Sequence, residues 1–459
     1  MSHRLRILIL LFPIYLLLTS CNQEQQEEVS PAPITPSNAL ESYLTKEDSL
    51  FQWEVRDSFQ LDQVRAYDIQ LTSQQWREHT WRHQLTVLVP EEAQYDGALL
   101  FITGGSNSAD QPRWKDQNDE TLRSFSQVAA KNQAVVAILR QVPNQPLYDN
   151  LTEDALISFT LHSFQNDGDY SWPLLFPMVK SAVKAMDAVQ EFASESLKQE
   201  INRFLVSGAS KRGWTTWLTG SQDARVTAIA PMVIDVLNMP VSLNYQIEVW
   251  KAYSPQIQDY VDLGIPQQFN TGKGDTITTM VDPYSYRLQL DMPKLIINGT
   301  NDEYWPVDAI KNYLDSIPGE NYLLYVPNAG HRLGDTRLAI QALSAFFGYT
   351  LKKENYPDLE WDISEEEGGV NFTVSTSSGK LVEALLWSAD SDDRDFRDEE
   401  WSSTSLEVGD KTEFQLQENF PPSGFKAFYM DLIYEDPNGG KFTESTRMFV
   451  TDDDEVFIK

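Results

Sequence analysis

A chain of 459 residues, 41% of them hydrophobic, is long enough for roughly two to three domains and too apolar to be a disordered protein. Its formal net charge of −32 at pH 7 repels phosphate backbones, which argues against nucleic acid as a partner. The single cysteine, Cys21, excludes an intramolecular disulfide and a cysteine-rich zinc site.

The N-terminus, residues 1–20, is predicted to be a lipoprotein signal peptide. Two arginines precede an apolar run over residues 7–18, which is too short to span a membrane and has the length of a signal-peptide core. The run ends in Leu-Thr-Ser-Cys, which resembles the bacterial lipobox, so the Cys21 thiol is the expected lipidation site. The alternative is an ordinary cleaved signal peptide with an incidental cysteine.

Residues 21–40 are expected to be a lipidated cysteine followed by a flexible tether, because they are polar, acidic and rich in proline. Asn22, and not aspartate, follows the cysteine, a pattern that implies the outer membrane in Gram-negative lipoproteins. The expected location is therefore the cell envelope, with a lipid anchor in the outer membrane facing either the periplasm or the cell surface.

Strands alternate with helices through residues 41–352, which predicts a mostly parallel sheet covered on both faces. The predicted strands are 84–90, 98–103, 134–139, 204–206, 226–234, 294–298 and 322–326, and the predicted helices include 177–193 and 337–351. Residues 237–290 interrupt this alternation and are rich in Trp, Tyr and Gln. They are predicted to be a helical, lid-like insertion, with an ordinary long crossover as the alternative. Their aromatic rings could stack on sugars, although packing in the core is the favoured interpretation.

Residues 353–459 show a different pattern of short alternating strands separated by turns, which predicts an antiparallel β-sandwich domain. The predicted strands include 370–374, 382–387, 425–434 and 445–450. The many acidic residues here are interpreted as a solvated face, with calcium binding as a weaker alternative. This domain is expected to be an accessory to the larger one.

Three candidate catalytic residues each follow a predicted strand of the larger domain. Ser210 follows the strand at 204–206, Asp302 follows the strand KLIIN, and His331 follows the strand YLLYV. Serine, acid and histidine in this chain order are typical of the α/β-hydrolase fold. The alternative is that Ser210 and Asp302 occupy ordinary turns.

These residue types suit nucleophilic catalysis. A serine hydroxyl is a weak nucleophile until an imidazole removes its proton, and a carboxylate must orient that imidazole. The backbone N–H of Lys211 and that of Gly105 or Ser106 are the predicted oxyanion-hole donors. No metal and no cofactor are expected.

The predicted turn departs from the common G-x-S-x-G pattern. Gly213 stands one residue late, and Arg212 occupies the position of the second glycine. The following helix is therefore expected to pack differently, or Arg212 to point outward.

Several motifs resemble the PhoPQ-activated pathogenicity-related protein family. They are FLVSGASKRGWTTWLTG at 204–220, the segment 154–189 with its Asp-Gly-Asp-Tyr-Ser-Trp-Pro element, GTNDEYW at 299–305, Asn-Ala-Gly-His at 328–331, and Arg-Asp-Phe-Arg at 394–397. The resemblance covers nearly the whole mature chain and implies an α/β-hydrolase fold with a C-terminal β domain. It does not define a substrate, and one secreted eukaryotic branch of the family acts as a proliferation-repressing signal. The turn at Ser210 is also similar to that of bacterial glucuronoyl and acetyl-xylan esterases, where a basic residue follows the serine.

The function predicted from the sequence is an envelope-anchored serine hydrolase that forms an acyl-enzyme. Its expected substrate is a small-molecule, peptide or glycan ester, or an amide. A carbohydrate esterase of the glucuronoyl or acetyl-xylan type is one alternative, and a non-catalytic signalling or binding protein on the same fold is another.

Overall fold

The computed structural model describes residues 33–269, 271–377 and 380–459. The predicted signal peptide, Cys21 and most of the predicted tether lie outside these ranges. Thr35–Lys459 form one compact unit. Among the described residues, no helix has both the length and the apolar character needed to cross a membrane.

A 14-stranded sheet runs through this unit in the order β1-β2-β3-β7-β4-β8-β9-β10-β11-β18-β17-β14-β15, with β19 beside β17. These strands are β1 (Gln52–Leu61), β2 (Val64–Trp76), β3 (His79–Pro90), β4 (Gly97–Ile102), β7 (Val135–Leu139), β8 (Arg203–Ala209), β9 (Val226–Met232), β10 (Lys294–Gly299), β11 (Asn321–Val326), β14 (Leu381–Ser391), β15 (Ser402–Leu406), β17 (Phe425–Glu435), β18 (Lys441–Ser445) and β19 (Phe449–Thr451). Six adjacent strands are parallel to one another, namely β7, β4, β8, β9, β10 and β11. The strand pairs on either side of these six are antiparallel. A separate two-stranded sheet pairs β5 (Asn107–Ser108) with β6 (Gln111–Pro112). The arrangement of the large sheet confirms the predicted α/β-hydrolase fold.

Helices cover both faces of the parallel strands. They are α1 (Ala39–Thr45), α2 (Glu120–Asn132), α3 (Glu153–Asp167), α4 (Leu175–Phe192), α5 (Lys211–Gln222), α6 (Met239–Trp250), α7 (Gln258–Asp262), α8 (Gly272–Val281) and α9 (Arg337–Lys352). Successive strand residues point to opposite faces, so Leu99 and Leu100 belong to different buried clusters. The cluster with Leu100 includes side chains of α4 and α5, and the cluster with Leu99 includes side chains of α2 and α9.

The strands β1 and β2 are not among those predicted from the sequence, because their residues are largely polar. Ser73 and Gln74 of β2 are fully buried and take part in a hydrogen-bond network. The Ser73 hydroxyl lies 2.9 Å from His83 Nε2 on β3, and Gln74 Nε2 donates to the Pro177 carbonyl of α4 at 2.8 Å. Such partners satisfy the buried polar groups without giving the sequence an apolar alternation.

The predicted insertion, residues 237–290, folds into α6, α7 and α8 with short 3₁₀ turns between them. The aromatic rings here have protein partners. Tyr245 is buried and its hydroxyl donates to Asp308, while the guanidinium of Arg397 lies 4.0 Å from the ring centre of Trp250. These contacts favour packing over sugar stacking for both rings.

The C-terminal region forms two layers. A three-stranded sheet of β12 (Leu359–Glu366), β13 (Gly369–Thr376) and β16 (Glu413–Asn419) packs on the outer strands of the large sheet. Phe372 of β13, for example, lies 5.6 Å from the ring of Phe428 on β17. The single strand expected over 445–450 is interrupted, since β18 ends at Ser445 and β19 begins at Phe449.

The large sheet continues across the domain boundary predicted at residue 353. Strand β18 pairs with β11 at Leu323 and Ser445. The Ser445 hydroxyl accepts a hydrogen bond from the Tyr325 N–H at 2.9 Å and donates to Asp431 at 2.6 Å, so one buried side chain connects three strands. The C-terminal region therefore extends the central sheet, and its accessory role stays a prediction.

Candidate active site

Ser210 lies in a sharp turn between β8 and α5. Its backbone has φ 58° and ψ −124°, a conformation that is strained for any residue with a Cβ and is found at functional turns. The Ser210 N–H donates to the Met232 carbonyl of β9 at 2.8 Å, and the Ser210 carbonyl accepts from the Trp214 N–H of α5 at 2.9 Å. The Ser210 hydroxyl makes no capping bond to α5, so an N-cap role does not explain this serine.

The structure brings the three sequence-predicted catalytic residues into one hydrogen-bonded chain. His331 Nε2 lies 2.8 Å from the Ser210 hydroxyl oxygen. His331 Nδ1 lies 2.9 Å and 3.0 Å from the two carboxylate oxygens of Asp302. One oxygen of Asp302 also accepts the Tyr304 N–H at 2.8 Å. The side chains expected to act as nucleophile, base and orienting acid are thus each within hydrogen-bond distance of the next.

Asp302 is buried, with 5% of its surface exposed. Burial raises the pKa of its carboxyl group, and the hydrogen bond to His331 acts in the opposite direction. The hydrogen bond from the imidazole offsets part of the cost of burying a charged carboxylate at this position. The position therefore couples the charges of Asp302 and His331.

Two residues that follow Asp302 hold His331 in place: Glu303, which the sequence offered only as an alternative to Asp302 as the acid, and Tyr304, which was not identified. The carboxylate of Glu303 accepts the backbone N–H of His331 at 2.8 Å. It also lies against Gly330, where an added Cβ would be 2.8 Å from one Glu303 oxygen. The ring of Tyr304 stacks on the imidazole at a centre-to-centre distance of 4.0 Å. Glu303 thus fixes the loop, while Asp302 contacts the imidazole.

Arg212 points inward, so the possibility that it points outward is wrong. Its guanidinium donates two hydrogen bonds to Glu153, each of 2.8 Å, and Nε donates to the Val142 carbonyl at 2.5 Å. Burial tends to raise the pKa of Glu153, but the paired arginine holds it at about 2. An added Cβ at Gly104 would lie 2.6 Å from the same guanidinium, so Arg212 lies directly against this loop.

The late glycine explains how α5 packs despite Arg212. An added Cβ at Gly213 would lie 2.8 Å from the Met232 carbonyl and 3.1 Å from the Gly208 carbonyl. The close approach that the common pattern achieves at the preceding position is thus made by Gly213. This is the different helix packing expected from the sequence.

The predicted oxyanion-hole donors come from two segments beside Ser210. Lys211, whose backbone N–H is the first predicted donor, is the first residue of α5. Its side chain forms an ion pair of 2.9 Å with Asp154 on α3. Gly104, which precedes the two residues predicted to supply the second donor, lines a cavity together with Ser210.

Gly105 and Ser106, the two residues named for the second donor, lie just beyond Gly104. An added Cβ at Gly105 would be 3.0 Å from the Gln141 side chain, so its backbone packs closely there. The Ser106 carbonyl accepts the Arg113 N–H at 3.0 Å. Their part in an oxyanion hole stays a prediction.

Ser210 lies between two cavities. The first, called the apolar cavity here, has a volume of about 60 Å³ and lies between the insertion and the core. The second, called the open cavity, has a volume of about 740 Å³ and is lined by Ser210, His331 and a mixture of polar and apolar residues, such as Arg123 and Phe125 of α2. A group bound covalently to Ser210 could therefore extend in two chemically different directions.

The surroundings of His83 are those of a structural residue in the core. His83 is fully buried between the Ser73 hydroxyl and the Arg140 carbonyl, each at 2.9 Å, and burial lowers its pKa to about 4. His162 is half-buried on α3. Within the described ranges, no group of three or more His, Cys, Asp and Glu side chains is arranged to hold a metal ion.

Comparison with known proteins gives both a family and remote structural similarities. Acetyl xylan esterase 1 from Thermoanaerobacterium sp. has a TM-score of 0.48 at 15% identity, over 69% of this chain and 95% of its own. An acetyl xylan esterase from Paenibacillus sp. R4 has a TM-score of 0.45 at 14% identity, over 67% of this chain and 92% of its own. Similarities this remote do not bear on the substrate.

The sequence matches extend over most of the chain. Autocrine proliferation repressor protein A from Dictyostelium discoideum is 28% identical over 434 residues, which are 87% of this chain and 86% of that protein. The model of the PhoPQ-activated pathogenicity-related protein family matches residues 40–397, including all three members of the Ser-Asp-His arrangement. The resemblance seen in the motifs is therefore confirmed, and the chain belongs to the PhoPQ-activated pathogenicity-related protein family.

Proposed function

We propose that the protein is a serine hydrolase that cleaves an ester or amide through an acyl-enzyme on Ser210. The observation that carries this proposal is the continuous hydrogen-bonded chain from Ser210 through His331 to Asp302, built on a strained turn. A purely structural serine needs neither the positive φ nor an imidazole at 2.8 Å.

In the proposed reaction, the Ser210 oxygen attacks the substrate carbonyl carbon while His331 Nε2 takes the hydroxyl proton. Asp302 accepts the hydrogen bond from Nδ1–H and stabilises the imidazolium that forms. The intermediate then collapses, the bond to the leaving group breaks, and His331 transfers its proton to that group. Water hydrolyses the acyl-enzyme by the same steps and regenerates the Ser210 hydroxyl.

A signalling or binding role without turnover is the second candidate. It is favoured by the name of the Dictyostelium relative, a repressor of proliferation, which is 28% identical to this chain. The two candidates differ in one respect that can be tested: a catalytic role depends on the Ser210 hydroxyl, whereas a binding role depends on the surface around it.

Labelling with a fluorophosphonate tests the catalytic role, because the probe reacts only with an activated serine. We expect the wild type to be labelled at Ser210, Ser210→Ala to abolish labelling, and His331→Ala to reduce it strongly. Ser207→Ala is the matched control, since the buried Ser207 hydroxyl donates to the Ala230 carbonyl at 2.6 Å and should not react. Folded wild-type protein that resists the probe, with a biological effect that survives Ser210→Ala, would favour the signalling candidate.

We also propose that the protein is anchored to the outer membrane through lipid on Cys21. The support is the sequence alone: the only cysteine follows a short apolar run and a lipobox-like segment. The variant Cys21→Ser should lose acyl labelling and appear in the soluble fraction. Membrane retention with undiminished acyl incorporation in that variant would contradict the anchor.

A further inference from the structure

We infer that the apolar cavity binds the acyl group of the substrate, and that this group is an uncharged aliphatic chain of about four to six carbons. The inference rests on the proposed acyl-enzyme function and adds its substrate class. Three observations carry it: which cavity contains the histidine, how the charges beside the apolar cavity are paired, and how large that cavity is.

The position of His331 distinguishes the acyl side from the leaving-group side. The leaving oxygen must receive its proton from His331 Nε2, so the leaving group lies on the side of the imidazole. His331 lines the open cavity together with Ser210. Lys211, the first predicted oxyanion donor, lines the apolar cavity together with Ser210. The leaving group therefore occupies the open cavity, and the acyl group extends into the apolar one.

Among the described residues that line the apolar cavity, none offers an unpaired charge to a ligand. Its charged lining residues are Lys211 and Asp154, which pair with each other at 2.9 Å. Asp154 also accepts the Tyr260 hydroxyl at 3.0 Å, and Lys211 Nζ lies 3.5 Å from Glu153. A carboxylate on the acyl group, such as that of a uronic acid, would lose its water here and gain no free cation in exchange.

The remaining lining of the apolar cavity is almost entirely hydrocarbon and comes from both the insertion and the core. Representative side chains are Leu243 of α6, Phe269 before α8, Val281 of α8, Trp214 of α5 and Ile234 after β9. A hydrocarbon chain bound here leaves water for an apolar surface on all sides. This lining selects for aliphatic groups over polar ones.

The volume of the apolar cavity limits the length of the acyl chain that it can hold. A cavity of about 60 Å³ is about four to six times the ~10–15 Å³ that one water-sized group requires. An acetyl group would leave most of this space unfilled, and a chain of ten carbons would exceed it. The expected optimum is therefore butanoyl to hexanoyl.

A series of p-nitrophenyl esters with a constant leaving group tests the chain length. We expect kcat/KM to rise on the order of tenfold or more from acetate to butanoate, because two additional methylene groups are buried. The maximum should fall at butanoate or hexanoate, and decanoate should be a poorer substrate than either.

Two substitutions test whether the apolar cavity sets this preference. Leu243→Phe adds volume to the lining and should move the optimum toward acetate, while Phe269→Ala removes volume and should move it toward longer chains. Val241→Phe is the matched control, since Val241 lies on the same helix two residues away and is 46% exposed. It should leave the chain-length profile unchanged. If Leu243→Phe does not fold, the shift in Phe269→Ala decides.

The outcomes separate this inference from the function on which it rests. A wild type that is labelled at Ser210 but prefers acetate, or shows no dependence on chain length, overturns the inference and leaves the serine hydrolase intact. A profile that both cavity variants leave unchanged overturns it equally. A folded wild type that neither reacts with the probe nor hydrolyses any ester overturns the proposed function and this inference together.

Discussion

At the scale of single residues, the site depends on side chains that hold other side chains. The guanidinium of Arg212 is paired with Glu153, donates to the Val142 carbonyl and lies against Gly104. It thereby connects α5 to the loop that is the candidate for the second oxyanion donor. Arg212, which occupies the position of the second glycine in the common pattern, thus fixes the geometry between α5 and the loop of Gly104.

Asp302→Asn is predicted to lower kcat by about 10⁴-fold, the magnitude measured for the analogous change in a serine protease, because an amide stabilises the wrong imidazole tautomer. Steady-state ester hydrolysis measures the effect. Glu303→Gln is the control, since the Glu303 carboxylate accepts the backbone N–H of His331, not its imidazole, and an amide oxygen can still accept that bond. A severe loss in Glu303→Gln combined with a mild one in Asp302→Asn would reverse the assignment of the acid.

At the scale of elements, the loops that carry Asp302 and His331 are supported by a loop of the C-terminal region. Asn301 Nδ2 donates to the carbonyl oxygens of Phe396, Arg397 and Glu399, at 3.2, 3.3 and 2.8 Å. Asn328, in the loop of His331, exchanges two hydrogen bonds with the Trp401 backbone, of 2.8 and 3.0 Å. The loops of Asp302 and His331 are thus positioned by residues about seventy to one hundred positions further along the chain.

Asn301→Ala is predicted to lower kcat by up to about 10²-fold with a smaller change in KM, because a displaced acid loop misaligns the imidazole while leaving the substrate cavities intact. Kinetics on the preferred ester measure both parameters. Asn438→Ala is the matched control: Asn438 also connects the C-terminal region to the rest, through Asn132 and Lys352, but it contacts no catalytic loop. Equal losses of kcat in the two variants would refute a positioning role for Asn301.

The sequence predicted the elements whose signal is local. The strands of the parallel sheet are short apolar runs, and the candidate catalytic residues follow strand ends, so the positions of both could be predicted from the sequence. The hydrogen bonds from Asn301 to the C-terminal region could not be predicted, because the partner residues lie about 95 positions away and show no local sequence pattern. The same holds for β2, whose buried Ser73 and Gln74 are satisfied by α4 and β3.

At the scale of the whole molecule, one sheet joins the parallel strands to the C-terminal strands. Buried rings continue across the predicted boundary at residue 353: Tyr356 lies 5.4 Å from Phe346 of α9 and 5.0 Å from Phe442 of β18. Both regions therefore contribute to one core, and each should depend on the other for stability.

Deletion of residues 354–459 is predicted to abolish folding, because it removes β18 from the edge of β11 and exposes apolar side chains such as Phe346. Solubility, circular dichroism and fluorophosphonate labelling of the truncated chain measure this. A soluble, folded truncation that is still labelled at Ser210 would contradict the prediction and restore the accessory role expected from the sequence.

Asp431→Asn is predicted to stabilise the protein increasingly as the pH rises from 5 to 8. Burial raises the pKa of Asp431 from 3.8 to about 7, so the native state retains a proton that the unfolded chain releases above pH 4. The free energy of unfolding therefore falls between these pH values and levels off above pH 7. The uncharged asparagine avoids a cost of about 4 kcal/mol above pH 7.

The measurement is the difference in Tm between Asp431→Asn and the wild type at pH 5, 6, 7 and 8. Asp390→Asn is the control, since Asp390 is exposed on the neighbouring strand β14, and its difference should stay constant with pH. A difference for Asp431→Asn that shrinks as the pH rises would show that the aspartate gains more from its bond to Ser445 than it loses by burial.

The pairing of β11 with β18 also sets an order in time. Leu323 and Ser445 are 122 positions apart, so this edge of β11 remains unpaired while the intervening chain is synthesised. The loops that carry Asp302 and His331 likewise lack these hydrogen-bond partners until the segment 396–401 has been synthesised. Contacts this distant in sequence form late, and an open edge invites association with other chains until they do. Labelling of Ser210 should therefore appear only after the chain has been synthesised as far as β18, and a chain interrupted before β18 should be unreactive and prone to aggregate.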